Sequence, residues 1–223
     1  MKKLTKLSIL ILLTTTVFFG CKKQTPEEES LPGEWTEDST FEDDEVYPYT
    51  GAKLTTTGNT VIFDYPEPRL IDNAPDENSY IGKNAGLTSA SFKGFKANVK
   101  CTLDSSIPGF VFYGSSSESS YYLLIINPYQ EISLMQKKGT TLTTIKDWTK
   151  FESINLNSKT NEVSIYTDDD GSICIMINSE TVAKIENPTL KPGYIGVAVN
   201  VNRTEYDNNS HINVTYDFIE FQK

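Results

Sequence analysis

The sequence predicts an all-β domain of the sandwich or barrel type. Eleven short segments rich in Val, Ile, Tyr, Phe and Thr recur along the chain, a composition that suits a pleated, half-buried surface. Turn chemistry separates them at intervals of about 8 to 12 residues, the rhythm of a sandwich or barrel. No segment sustains the apolar period of a helix.

The segments run in order as TVIFDY, FKANVKCTL, GFVFYG, SYYLLIIN, EISLMQ, TLTTIKDW, NEVSIYTD, SICIMIN, TVAKI, YIGVAVNV and INVTYDFIEF. Between them lie Pro108-Gly109, Gly114 with a serine run, Asn127-Pro128, Lys138-Gly139, Asp170-Gly171, Pro192-Gly193 and Asp207-Asn208-Asn209, residues that set or tolerate turn dihedrals. In FKANVKCTL, Phe95, Ala97, Val99, Cys101 and Leu103 share one face, and Lys96, Asn98, Lys100 and Thr102 the other. In NEVSIYTD, Val163, Ile165 and Thr167 alternate with Glu162, Ser164 and Tyr166. YYLLII and CIMI are apolar on both faces, as expected where a sheet's outer face is also buried or lines a groove.

The amino terminus reads differently. Lys2, Lys3 and Lys6 precede an apolar run over residues 7–19, followed by Gly20 and Cys21. At about 13 residues the run is short for a membrane span, which needs about 20, and has the order of a secretory signal. Phe18-Phe19-Gly20-Cys21 resembles a bacterial lipobox, in which cleavage precedes a cysteine that becomes lipidated. Gly20 supplies the small residue, while Phe18 and Phe19 depart from the usual Leu and Ala or Ser. The resemblance implies a lipoprotein signal peptide over 1–20 and an acyl anchor on Cys21, on the outer membrane or cell surface more than the inner membrane. Residues 21–45 are polar and acidic and read as a flexible tether, with Glu27, Glu28 and Glu29 in a row. Trp35 within that stretch points to a tether end that docks on the folded body, which is expected over 46–223 as one domain.

Charge limits the partners. The net charge is -10, and loss of the three leader lysines takes it to -13, which disfavours nucleic acid and anionic headgroups. Cys101 and Cys174 sit in apparent strands and are either a disulfide or plain core residues. His211 is the single histidine, so a His/Cys zinc site is not expected. Asp168 and Asp170 are weak candidates for calcium, with an Asp-Gly hairpin turn as the alternative. No other cofactor is expected.

Over residues 109–221 a series of signatures follows in order: GFVF, YYLLIIN, a hairpin with Ile132 and Leu134, the tryptophan strand IKDWTKF, NEVSIYTDDDGSICIMINSETV, LKPGYIGVAV and VTYDFIEF. This order resembles the concanavalin A-like, laminin-G-type jelly roll, with Ser179 in place of the common glycine of an I-N-G tip. The resemblance implies two antiparallel sheets face to face, one curved, whose concave side often binds sugar. The superfamily includes lectins, glycosidases and domains with no known ligand.

Glycosidases on that scaffold need carboxylates at alternate positions of one strand, flanking the scissile bond. The chain has no E-x-D-x-E run and no G-x-S-x-G elbow, so a non-catalytic module is expected. With 12 Tyr and 2 Trp, the expected ligand is carbohydrate stacked on aromatic faces. If Phe110, Phe112, Tyr121 and Leu123 face the core, Tyr113 and Tyr122 face the groove. Trp148 and Tyr129 lie near neighbouring hairpins and complete the candidate set. The alternatives are a protein-interaction or structural lipoprotein, through sheet edges or Trp35, and third a glycoside hydrolase.

Overall fold

A computed structural model describes residues 31–37, 41–42, 53–65, 80–85, 87–88, 90–101, 106–115, 119–156, 159–201 and 212–223. Cys21, the leader, the Glu27–Glu29 run and His211 lie outside the described residues. The described strands pair antiparallel, and no helix occurs among them. One sheet runs in the order β14 (Glu180–Ile185), β13 (Ile173–Ile177), β12 (Asn161–Thr167), β7 (Gly94–Cys101), β16 (Ile212–Gln222), β4 (Thr60–Tyr65) and β3 (Lys53–Thr57), with β1 (Trp35–Thr36) joining β16 as its eighth strand. The other runs β11 (Thr141–Lys150), β10 (Glu131–Lys138), β9 (Ser120–Ile126), β8 (Ser106–Ser115), β15 (Tyr194–Val201) and β5 (Tyr80–Ala85). A small ribbon pairs β2 (Phe41–Glu42) with β6 (Leu87–Thr88). This is the two-sheet antiparallel sandwich.

Alternation builds the core. Phe95, Ala97 and Val99 of β7 turn inward beside Val163 and Ile165 of β12 and Val214, Tyr216 and Phe218 of β16. They meet Phe110 and Phe112 of β8, Leu124 of β9 and Leu134 of β10 from the facing sheet. At the centre, the Phe110 ring lies 5.2 Å from Phe95 and 5.2 Å edge-on from Tyr216. Such tilted and edge-to-face pairs add to the area they bury. Tyr216 also joins the layers by polar contact: its hydroxyl donates to the Ala198 carbonyl at 2.6 Å and accepts from the Gly109 amide at 3.2 Å. The phenol thereby satisfies two backbone groups that would be costly to bury unpaired.

Trp35 lies in the stretch expected to be tether, and its strand pairs with the end of β16. Gln222 holds this segment. Its side-chain amide donates to the carbonyls of Pro32 (2.9 Å) and Thr167 (2.8 Å), and its oxygen accepts from the Thr167 amide (2.7 Å). Gly33, at φ 91°, passes so close that a β-carbon there would lie 2.8 Å from that amide nitrogen. The Lys96 ammonium stands 5.0 Å from the Trp35 ring centroid and pairs with Glu220 at 2.8 Å.

Cys101 and Cys174 are not paired in the structure. Cys101 belongs to the core face of β7, whereas Cys174 pairs with Tyr166 and Lys184 on the opposite face of the same sheet. They also sit near opposite ends of their strands, since Phe95 is the partner of Ile165 and Tyr166 of Cys174. Both are free thiols, and burial pushes Cys101 up to about 12. A thiol so protonated is a plain core residue.

Candidate functional site

The outer face of the six-stranded sheet is the surface where the concave groove was expected. Antiparallel partners point to the same side. Phe112 points into the core and pairs with Tyr122, so Tyr122 follows it inward with Leu124 and Ile126. The facing expected from the sequence therefore holds for Phe110 and Phe112 and reverses for β9: Tyr121 and Leu123 face outward and Tyr122 is core. Tyr122 is 1% exposed, and its hydroxyl accepts from the Thr189 and Leu190 amides at 3.0 and 3.4 Å. Tyr113 is buried by a β-bulge. Between the pairs Phe112–Tyr122 and Ser115–Ser120, two residues of β8 stand opposite the single residue Tyr121. Tyr113 takes a φ of 54° there, and its ring drops into the core beside Phe112 and Tyr122. Its hydroxyl shares a hydrogen bond with Thr167 Oγ1. Neither ring offers a face to a ligand.

The bulge presents another pair of tyrosines instead. Leu142 pairs with Lys137, Lys137 with Tyr121, and Tyr194 with Gly114. With Gly114 opposite Tyr121 in the bulge, these residues form one row across five strands. Gly114 is the gap in that row. A β-carbon on it would stand 1.9 Å from Tyr194 Cε2, and one on Gly193 would stand 2.1 Å from the Gly114 carbonyl oxygen. Gly114 leaves room for the Tyr194 ring over β8, and Gly193 lets its own backbone approach that of Gly114. Beside the row on the same face, Val111, Leu123, Ile125, Met135 and Ala198 make a second, buried apolar cluster, against which Tyr121 and Tyr194 pack half-buried. This explains why YYLLII is apolar on both faces.

The chemistry of the row follows from its surroundings. Burial pushes the Tyr194 phenol up to about 12, with Tyr121 adding to the rise; burial also raises Tyr121. Both phenols stay protonated at neutral pH, with hydroxyls that can donate and accept. The Lys137 ammonium stands 5.3 Å from the Tyr121 ring centroid, a cation–π distance. Half-buried rings beside an apolar cluster, with a few polar tips, are the elements of a small-molecule site.

Trp148 and Tyr129 lie at the other end of the sheet. Trp148, 43% exposed, neighbours Thr149, the partner of Ile132, so alternation places it on the outer face. Tyr129, 72% exposed, rides the turn between β9 and β10, held by Asn127 Oδ1, which accepts from the Tyr129 and Glu131 amides at 2.9 and 3.0 Å. From Tyr121 to Ile126 the strand advances five residues, roughly 17 Å. The structure thus separates these two aromatics from the tyrosine row.

Asp168 and Asp170 sit in the β12–β13 turn on the other sheet. Lys184 stands 3.7 Å from Asp168 and 3.0 Å from Asp170. Hydrogen bonds from Ser172 first, then Lys184, hold the Asp170 carboxyl down at about 2. The lysine supplies the positive charge that a metal ion would bring, and no cluster of three His, Cys, Asp or Glu occurs among the described residues. Within the six strands the carboxylates are Glu131 and Asp147, one each on β10 and β11. Glu131 is engaged by Asn127 Nδ2 at 2.7 Å and Asp147 by its neighbour's amide at 2.8 Å.

Sequence reasoning missed Tyr121, Tyr194 and Lys137. The available signal was the register implied by Phe112: its partner across a hairpin must share its side, which turns Tyr121 outward.

No protein-family model and no curated protein sequence matches the chain. Solved structures do match. A prokaryotic β-1,3-1,4-glucanase (lichenase) from a mouse hindgut metagenome superposes at TM-score 0.54 and 9% identity, over 82% of this chain and 92% of that one. The κ-carrageenase of Pseudoalteromonas carrageenovora, in complex with an oligotetrasaccharide of κ-carrageenan, superposes at 0.52 and 10%, over 89% and 98%. The carbohydrate-binding module CBM66 from Bacillus subtilis superposes more loosely, at 0.46 and 13%, over 84% and 95%, too loosely to argue from. At these identities the likeness shows the fold alone: a concanavalin-like jelly roll.

Proposed function

We propose that this protein is a non-catalytic carbohydrate-binding module, held to a bacterial membrane by lipid on Cys21. The observation that carries the binding reading is the Tyr121–Gly114–Tyr194 row, in which two half-buried rings pack beside an apolar cluster on the outer face. Flat aromatic faces with protonated hydroxyls suit the apolar faces and hydroxyl rims of pyranose rings. Trp148 gives the same face a second aromatic contact. Sharing a fold with a glucanase and a carrageenase adds to the prior for glycan, though fold by itself assigns no function. The non-catalytic reading is supported by the strand sequences, since no described strand of the six carries two carboxylates at alternate positions. Membrane attachment rests on the leader and Cys21 alone.

Two experiments test this. On a glycan array the purified protein is expected to bind a subset of oligosaccharides, and prolonged incubation with those ligands is expected to release no reducing ends. Absence of glycan binding would defeat the binding reading, and turnover would favour a glycosidase. Cys21→Ser is expected to move the protein from the membrane fraction to the soluble fraction; retention on the membrane would contradict the anchor.

A protein partner is the second reading. It is favoured by edge strand β11, on which Leu142, Ile145 and Trp148 are all exposed. Cross-linking from cells that captures a protein through β11, with no glycan bound on the array, would establish it.

A further inference from the structure

We infer that the tyrosine row selects an acidic glycan, one bearing a carboxylate or sulfate, through Lys137. This rests on the carbohydrate-binding reading above and adds the ligand's charge to it. The first support is where the positive charge lies. The chain carries 30 acidic and 20 basic residues, yet the six described strands of this sheet reverse the balance. Strands β10 and β11 carry Lys137, Lys138, Lys146 and Lys150 against Glu131 and Asp147. The described side chains on the strands of the eight-stranded sheet include Lys96, Lys100 and Lys184 against Asp64, Glu162, Glu180, Asp217 and Glu220. Screening over about 8 Å at physiological salt confines what counts to charges near the row, and there Lys137 stands at one end of β10 while Glu131 stands at the other.

The second support is how the lysines are used. On the eight-stranded sheet, Lys96 pairs with Glu220 at 2.8 Å and Lys184 with Asp170 at 3.0 Å. On the six-stranded sheet, Lys150 pairs with Glu152 at 2.8 Å. Lys137 instead meets the Tyr121 ring, as Lys146 meets that of Phe151 away from the row. A ring attracts an ammonium but does not neutralise it, so its charge and donors remain available at the row. A pyranose seated across Tyr121 and Tyr194 brings a ring substituent within reach of the flexible lysine stem. A carboxylate or sulfate there gains a charge-assisted hydrogen bond; a neutral hydroxyl gains less. Lys138, paired with Thr141 one step along the strand, points to the other face and serves as the control.

The test measures binding of three probes to the intact protein: an oligogalacturonate, a κ-carrageenan oligosaccharide and a neutral cello-oligosaccharide. One or both acidic probes are expected to bind more tightly than the neutral one and to weaken with added salt. Lys137→Gln is expected to weaken that binding about tenfold or more, while Lys138→Gln leaves it unchanged. Which acidic probe binds separates carboxylate from sulfate. Equal or tighter binding of the neutral probe, or an unchanged affinity in Lys137→Gln, would overturn the inference and leave the carbohydrate reading standing. No binding of any of the three, together with an empty glycan array, would overturn both.

Discussion

Phe110→Ala is expected to destabilise the protein by about 3–5 kcal/mol, the usual cost of removing a buried phenylalanine. The ring is inaccessible to solvent and stands where the layers meet, with Phe95 and Phe218 of the facing sheet at 5.2 and 6.2 Å. The cavity is poorly placed to collapse. Tyr216, as near to Phe110 as Phe95 is, is fixed by its bonds to Ala198 and Gly109, and swinging inward would break those bonds. That puts the loss toward the upper end of the range and lowers the melting midpoint by roughly 10 °C. Urea unfolding would measure it. A loss under about 1 kcal/mol would mean that the sheets do not pack through this ring.

Gly114→Val is expected to weaken ligand binding about tenfold or more while leaving most of the stability in place. The added β-carbon falls on the Tyr194 ring, at 1.9 Å from Cε2 and 2.3 Å from Cδ2 and Cζ. The obstructing atoms belong to a side chain, so the cheapest response is for Tyr194 to leave the row. The row then loses one of its rings and the flat seat between them. Affinity for any glycan bound by the wild type is expected to fall about tenfold or more, equivalent to about 1.4 kcal/mol or more. Retained affinity in a folded Gly114→Val protein would move the site elsewhere. The Phe110 and Gly114 variants separate the two layers of the account, one acting on the core and the other on its outer surface.

Much of the fold was legible because its strands obey simple rules. TVIFDY became β4 without a shift of boundary. The alternation of Phe95, Ala97 and Val99 against Lys96, Asn98 and Lys100 is the in-out pattern of β7. The strands not picked out individually, such as KLTTT and YIGKNA, lack apolar alternation and are fixed by their partners. The candidate site was less legible, because one bulge decides it. Reading strict alternation through Phe110, Phe112 and Gly114 sends Tyr113 outward. The residue inserted against Tyr121 breaks that phase, and nothing in YGSSSESS states where the break falls. Cys101 and Cys174 show the same limit from another side: each occupies a strand, and only the register reveals that they face opposite ways. Trp35 was singled out correctly as an odd residue in an acidic stretch. The buried Gln222 that receives its segment, however, looks like any polar residue at a chain end.

The central claim is that glycan docks on the outer face of the six-stranded sheet at Tyr121, Gly114 and Tyr194. Amide chemical-shift mapping during titration with an array-identified oligosaccharide tests it most directly. The largest shifts are expected at Gly114, Tyr121, Lys137 and Tyr194, with the Asp168–Ser172 turn on the opposite sheet unmoved. Shifts confined to that turn or to the end of β16 near Trp35, with the tyrosine row silent, would contradict it.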